Sequence, residues 1–372
     1  MGVALIVGTK KGAAVLTSDG GRKNWSTDFV LRGWPVTASV RDAKGRYYAA
    51  VANDVFGPAI FVSEDLKEWK QLESAPRYKP GEKGSPGHIR IVGASDFMGR
   101  YKDEPRLVDQ IWALHATKDG VYAGVSEAGL FVTRDQGLTW EPVDGFNNQP
   151  GRDKWEPGFG GLCAHTILSD PNNPNRMWVG VSSSGFFRTD DGGKTWSEKS
   201  AGVNQDLGIC VHHVTHHPAN PDQLFRQDHR GVYRSDDAGD TWVVAETGLP
   251  CGELSDGHKC SFGFAIELDR KTKSLFIAPL DSDNFRLPRN GELVIYKSTD
   301  NGANWQARKN GLPSQFFAGV LRGAMSADQL DPGGIYFGTS SGQVFASNDV
   351  GESWAEVASG LPRIMSVEAY AT

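Results

Sequence analysis

The sequence is short of cysteine, of basic runs and of long apolar stretches. Four cysteines among 372 residues do not make a disulfide framework. No stretch combines the length and apolarity of a membrane span. A net charge of -6 without any basic run argues against a general nucleic-acid binder. The opening MGVALIVGTK has no basic n-region, and its apolar run is too short for a secretory leader, so it reads as a strand. A cytoplasmic protein is the simplest expectation.

What the chain has in quantity is glycine (45 residues), proline (19) and closely spaced Asp and Asn, the composition of an all-β protein with many tight turns. Seven times a hydroxyl residue, an aspartate, a glycine and a tryptophan recur in order. Thr189 to Trp196 is the clearest copy, and Thr133 to Trp140, Ser235 to Trp242, Ser298 to Trp305 and Ser347 to Trp354 repeat it at equal length. Ser63 to Trp69 is one residue short, and Thr17 to Trp25 is one residue long. The aspartate can accept hydrogen bonds from backbone N–H groups just ahead of it, which fixes a turn. The glycine takes a backbone conformation costly for other residues. The tryptophan buries a large apolar surface. Asp19, Asp65, Asp135, Asp191, Asp237, Asp300 and Asp349 are therefore read as turn formers in β-hairpins rather than as catalytic groups.

Repeats at this period define the architecture. The box tryptophans are 44, 71, 56, 46, 63 and 49 residues apart, and counting from Trp354 through the C-terminus to Trp25 gives 43. The two ends together thus make up one repeat. The expected fold is all-β, a single domain over 1–372: a seven-bladed β-propeller of four-stranded antiparallel blades, closed by N- and C-terminal segments sharing one blade. The other blades are expected at 34–72, 108–144, 161–200, 207–246, 260–309 and 316–358. Excess length marks insertions at 73–107, 145–160, 247–259 and 281–292, all expected on the rim opposite the boxes, where grafted loops would carry function.

The boxes resemble the Asp-box, or BNR, repeats of sialidases, xyloglucanases, sortilin-type receptors and photosystem-assembly propellers. The segment Gln227 to Asp237, with the ending Gly360 to Val367, is similar to a bacterial family labelled exo-sialidase-like or BNR-repeat glycosyl hydrolase. That resemblance implies a sialidase-like glycoside hydrolase using rim carboxylates. Sialidases, however, have six blades and an early Arg-Ile-Pro motif, which has no counterpart near this N-terminus.

Histidine is the most unevenly distributed residue: five of nine lie between 212 and 229. Gly161-Leu162-Cys163-Ala164-His165 aligns without a gap on Gly208-Ile209-Cys210-Val211-His212, so His165 and His212 hold the same place in consecutive repeats. A Cys-x-His spacing puts both side chains of each pair on one face of a strand. His229, with Asp228 beside it, and His258 lie on loops expected to reach the same rim. His165, His212, His229 and His258 can together hold Zn²⁺ or a similar divalent transition metal. Without metal, His165, His212, His229 and Asp228 can supply acid–base catalysis. His216 and His217, before Pro218, read as turn residues. Cys251 and Cys260 read as a local disulfide or two free thiols. Trp155 can stack on a ligand or pack its own loop. Asp54, Glu127, Glu156, Asp281 and Asp283 are rim carboxylates, and Glu127 is a candidate substrate contact. Arg90, Arg106, Arg286, Arg289 and Arg322 can clamp an anion. The leading expectation is a hydrolase or lyase with a small-molecule substrate. The rivals are a carboxylate glycosidase and a non-catalytic scaffold for a protein or peptide.

Overall fold

A computed structural model describes all residues except 54–55, 82–88, 92–97, 101–105, 158–160, 205–208 and 218, and gives 89–91 and 98–100 as backbone alone. Nearly all regular structure is strand. The chain divides into two compact units: Met1–Gly33, Ala201–Asn204 and His212–Thr372 form the first, and Trp34–Ser200 and Gln205–Val211 the second.

In the first unit the strands Ser26–Val30, Gly12–Asp19, Gly2–Thr9 and Ile364–Ala371 lie side by side. Gly2–Thr9 pairs antiparallel with Ile364–Ala371 in the register Val3↔Ala371 to Val7↔Val367. One parallel contact, Gly323↔Ser366, joins this quartet to a second one, Val320–Ala327, Ile335–Thr339, Val344–Ser347 and Ala355–Ala358. Two further four-stranded sheets follow the same plan: Val211–His217, Asn220–Asp228, Gly231–Ser235 and Val243–Val244, then Gly263–Leu268, Leu275–Pro279, Ile295–Ser298 and Gln306–Arg308. The second unit holds three such sheets, spanning 36–71, 110–142 and 164–198. These quartets fall inside the ranges read from the box spacing.

The second and third strands of the quartets are largely buried, although one of them, Asn220–Asp228, is mostly polar. Met177–Val181 is buried at all five positions, because both of its faces are covered. In the first unit Leu5, Val7, Phe276, Ile295, Phe337 and Phe345 meet in one core cluster. In the second, Tyr48, Ile60, Val125 and Phe131 form another.

The box is a hydrogen-bonded turn. Asp191 Oδ1 accepts from the Lys194 and Thr195 amides at 3.0 and 2.9 Å, and Asp191 Oδ2 from the Thr195 hydroxyl at 2.7 Å. The Gly193 amide donates to Thr189 Oγ1 at 2.9 Å. The bond from the amide four residues on recurs at Asp135, Asp237, Asp300 and Asp349. These bonds hold the Asp135 and Asp191 carboxyls down at about 2, the Thr139 and Thr195 hydroxyls being the largest cause in each. The residue before the box glycine also takes a left-handed conformation, although it is Gln136, Ala238, Asn301 or Val350 in other copies. At Gly351 the glycine is required twice over: its φ is +82°, and a Cβ would stand 2.4 Å from the Phe276 ring.

Insertions carry little regular structure. The 247–259 insertion contributes to a small hairpin, Gly252–Glu253 with Lys259–Cys260. The 145–160 insertion contributes a helical turn, Asp144–Asn147, and a 3₁₀ turn, Arg152–Lys154. Much of 73–107 lies outside the described residues, as does Asp54.

Candidate functional site

His212 sits on the strand Val211–His217 and is buried. Its Nδ1 donates to the Gly263 carbonyl at 2.6 Å, which leaves the lone pair on Nε2. The ring lies against Phe264, 4.6 Å between centroids and tilted 31°, and edge-on to His229 at 5.5 Å. Phe262 closes the group, 5.4 Å from His212 and 5.2 Å from His229. His229 follows the strand Asn220–Asp228, and its Nε2 stands 3.5 Å from Asp283 Oδ2. Asp283 is held in turn by Ser255, whose amide donates to Oδ1 at 2.9 Å and whose hydroxyl donates to Oδ2 at 2.6 Å. Arg322 and Arg286 both place their guanidinium carbons over Phe264, 5.1 and 5.6 Å from its centroid.

Electrostatics follow from this packing. Burial pulls the His229 imidazole below its usual range, while Asp283 and Asp228 offset part of that pull. Burial also presses the Asp283 carboxyl upward, but the Ser255 hydrogen bonds outweigh it and the group ends below the ordinary range. His213, next to His212, is brought down to about 4, first by burial and then by the charge of Arg322.

Cys210 precedes the His212 strand by one residue. Single donor atoms of Cys210, His212 and His229 all lie within 4.8 Å of one another. These three fit a borderline-soft transition metal better than a hard cation, since the donors are nitrogen and sulfur.

Four expected site residues are placed elsewhere. His165 is buried on its own strand, with Nδ1 3.1 Å from Thr166 Oγ1, and is not among the three donors. His258 is also outside that group: it lies in the 247–259 turn, its amide donating to Asp256 Oδ1 at 3.0 Å; burial pushes the nearby Glu246 carboxyl up, and His258 offsets part of that push. Asp228 is fully buried and paired with the equally buried Arg226, which lies over the Trp242 ring. Glu127 is fully buried too, 3.9 Å from Arg106, with its carbonyl accepting from the Tyr78 hydroxyl at 2.5 Å. The Arg226–Asp228 pair lies within one strand with neither side chain exposed, and the Glu127 carboxylate is equally withdrawn from solvent.

Trp155 packs its own loop. It is 8% exposed, its ring 4.9 Å from Phe187 with Arg152 over it at 4.6 Å. Of Arg90 only its place on the strand Ile89–Ile91 is described. His216 and His217 end a strand rather than form the turn itself. Cys251 and Cys260 are free thiols, and burial first, then the charge of Glu246, pushes Cys260 up to about 12.

Sequence reasoning missed two carboxyls. Glu267 and Glu368 lie on the inner strands Gly263–Leu268 and Ile364–Ala371. Burial lifts them to about 7 and about 8, and the charge of Glu267 adds to the shift of Glu368. The signal was present as a single acid in each of two otherwise largely apolar strands. Phe262 and Phe264 carried no such signal, because an aromatic beside an inner strand reads as core.

The family model of the BNR/Asp-box repeat matches residues 187–198, the strand, box and tryptophan around Asp191. This chain therefore carries the BNR/Asp-box repeat. As such a repeat protein it is 28% identical over 198 residues to the xyloglucanase Xgh74A of Acetivibrio thermocellus, covering 48% of this chain and 22% of that protein. It is 24% identical over 248 residues to the oligoxyloglucan-reducing end-specific xyloglucanase of Emericella nidulans, covering 65% of this chain and 26% of that protein. The Asp-box chain therefore spans about a quarter of the length of these curated relatives. Among solved structures, the GH74 enzyme of Niastella koreensis superposes with a TM-score of 0.58 at 14% identity, over 98% of this chain and 51% of that one. YCF48 from Cyanidioschyzon merolae gives 0.51 at 14% identity over 95% and 89%. Both likenesses are likenesses of fold.

Proposed function

We propose that this chain is a carbohydrate-active hydrolase or lyase whose reacting groups are His212 and His229, with Asp283 orienting the second imidazole. The observation that carries this reading is the convergence of two histidines, a carboxylate locked by Ser255, and Arg286 and Arg322 around Phe264. Imidazoles with fixed orientation are the side chains best suited to moving a proton or polarising a bond near neutral pH. Arginines beside them suit a substrate that bears or develops negative charge. The xyloglucanase relatives support a saccharide as the substrate class. The strand quartets are read as seven blades of one closed ring, a reading supported by the pairing of Gly2–Thr9 with Ile364–Ala371.

The test is a screen of neutral and acidic oligosaccharides, xyloglucan fragments included, for release of reducing ends or of an unsaturated product. Turnover that His229→Ala and Asp283→Asn each cut by about tenfold or more supports the reading, and turnover indifferent to both overturns it. Glycoside hydrolysis by carboxylates is a second reading, favoured by the raised carboxyls of Glu267 and Glu368. Under that reading Glu267→Gln or Glu368→Gln removes turnover and His229→Ala leaves it.

A further inference from the structure

We infer that Cys210, His212 and His229 form a binding site for one transition-metal ion of the Zn²⁺ class. The inference rests on the reading of the histidine cluster as the reacting centre and specifies how that centre is armed. Three lines of geometry support it.

The first is the donor set. One thiol and two imidazoles bring their ligand atoms within 4.8 Å of one another. Tetrahedral coordination at about 2.0–2.3 Å from the ion sets ligands roughly 3.5 Å apart, so the side chains need close by only about 1 Å. Cys210 and His212 are two residues apart, so extended backbone directs both to one side of the strand. Three protein ligands leave the fourth position for water or substrate, the arrangement of a catalytic rather than a structural zinc site.

The second is the outer shell. A metal-bound histidine characteristically gives its other nitrogen to a carbonyl or a carboxylate, which fixes ring and tautomer. Here His212 donates from Nδ1 to the Gly263 carbonyl at 2.6 Å. His229 faces Asp283 with Nε2 at 3.5 Å, and Ser255 fixes that carboxylate through two hydrogen bonds. Both rings are therefore oriented from behind, by different elements of the chain.

The third is access and surroundings. Phe262 and Phe264 wall the cluster with apolar surface. The side chain of His229 is 30% exposed, which gives an ion a way in from solvent. A bound ion would supply Lewis acidity at a place where Arg286 and Arg322 are already set for an anionic group.

The experiment is metal analysis of the whole chain, purified without chelators, then stripped with chelator and titrated with Zn²⁺ and with Co²⁺. One equivalent of Zn²⁺ per chain is expected, with a thiolate-to-cobalt charge-transfer band in the Co²⁺ form. Cys210→Ser should remove that band, and His229→Ala should weaken binding at least tenfold, whereas His165→Ala should retain the full equivalent. Circular dichroism melts of each variant separate loss of ligands from loss of fold. A chain that takes up no stoichiometric ion overturns the inference, as does binding that Cys210→Ser and His229→Ala leave unchanged. Stoichiometric metal without saccharide turnover rejects the proposed function and keeps the site. Turnover by a fully stripped enzyme keeps the proposed function and rejects the ion's part in it.

Discussion

Two strands of this protein carry the same local pattern and have come to different ends. Cys163-Ala164-His165 and Cys210-Val211-His212 align without a gap in consecutive repeats. In the first, the antiparallel ladder passes from Ala164↔Val181 to Thr166↔Gly180, so His165 stands at a bulge, and its ring lies against its neighbour Thr166. In the second, His212 bonds the carbonyl of Gly263, on another sheet, and gathers His229, Phe262 and Phe264 around it. The repeat dictates where each histidine enters the sheet. Whether that position becomes a site depends on what arrives from elsewhere: the 229–230 turn, the hairpin bearing Ser255, and Asp283 with Arg286 on the 281–292 insertion.

The largest effect should come from a residue that the local pattern would place in the chemistry. Asp228 adjoins His229, yet its carboxylate is committed to Arg226 with neither side chain exposed. Asp228→Ala leaves a buried guanidinium without its carboxylate, and about 3–5 kcal/mol of stability should be lost in urea unfolding. A variant that melts like the parent but has lost activity would return Asp228 to the reacting groups.

Next come the two histidines themselves. His229→Ala should reduce turnover by about 100-fold or more, as expected when a proton-moving or ligating imidazole is removed, while His165→Ala stays within twofold of the parent. Equal losses in the two variants would dissolve the contrast between the strands. Asp283→Asn keeps the shape but not the charge that orients His229. It should reduce turnover by about 10- to 100-fold, the usual cost of disturbing an outer partner, and kcat should fall more than KM rises. An effect confined to KM would make Asp283 a substrate contact instead.

How much of this could be read in advance follows the range of the interactions. The box turn closes within eight residues, so Thr189, Asp191, Gly193 and Trp196 announce it without help from the rest of the chain. The strand quartets likewise follow from box spacing. Within the site, His212, His229, Arg286, Arg322 and Asp283 could be named as polar residues in suspect places, but nothing local distinguishes His212 from His165. The difference lies in contacts 17 to 52 residues away along the sequence, from His229 to Phe264. Asp228 and Glu127 are the converse case: loop position suggested exposure, and Arg226 and Arg106 hold them in buried ion pairs, whereas Trp155 takes the loop-packing one of its two readings, against Phe187.

The smallest predicted effect extends the comparison to charge. The inner strands of the second unit, Val36–Arg41, Gln110–Thr117 and Ala164–Ser169, contain no acid, whereas those of the first carry Glu267 and Glu368. Both carboxyls are raised from 4.5, to about 7 and about 8, chiefly by burial. As pH rises through 4.5 the unfolded chain gives up these protons first, and the native state holds them until pH 7–8. Their contribution to stability therefore declines across that window and levels off above it. Glu368→Gln cannot ionise, so its melting temperature should match that of the parent near pH 4 and exceed it by a growing margin up to about pH 8. Glu267→Gln should remove part of the same slope, because the charge of Glu267 makes Glu368 harder to ionise. Melting curves for parent and Glu368→Gln that run parallel from pH 4 to 9 would show that burial does not press on this carboxyl, and would remove the raised acid on which the carboxylate reading of the chemistry depends.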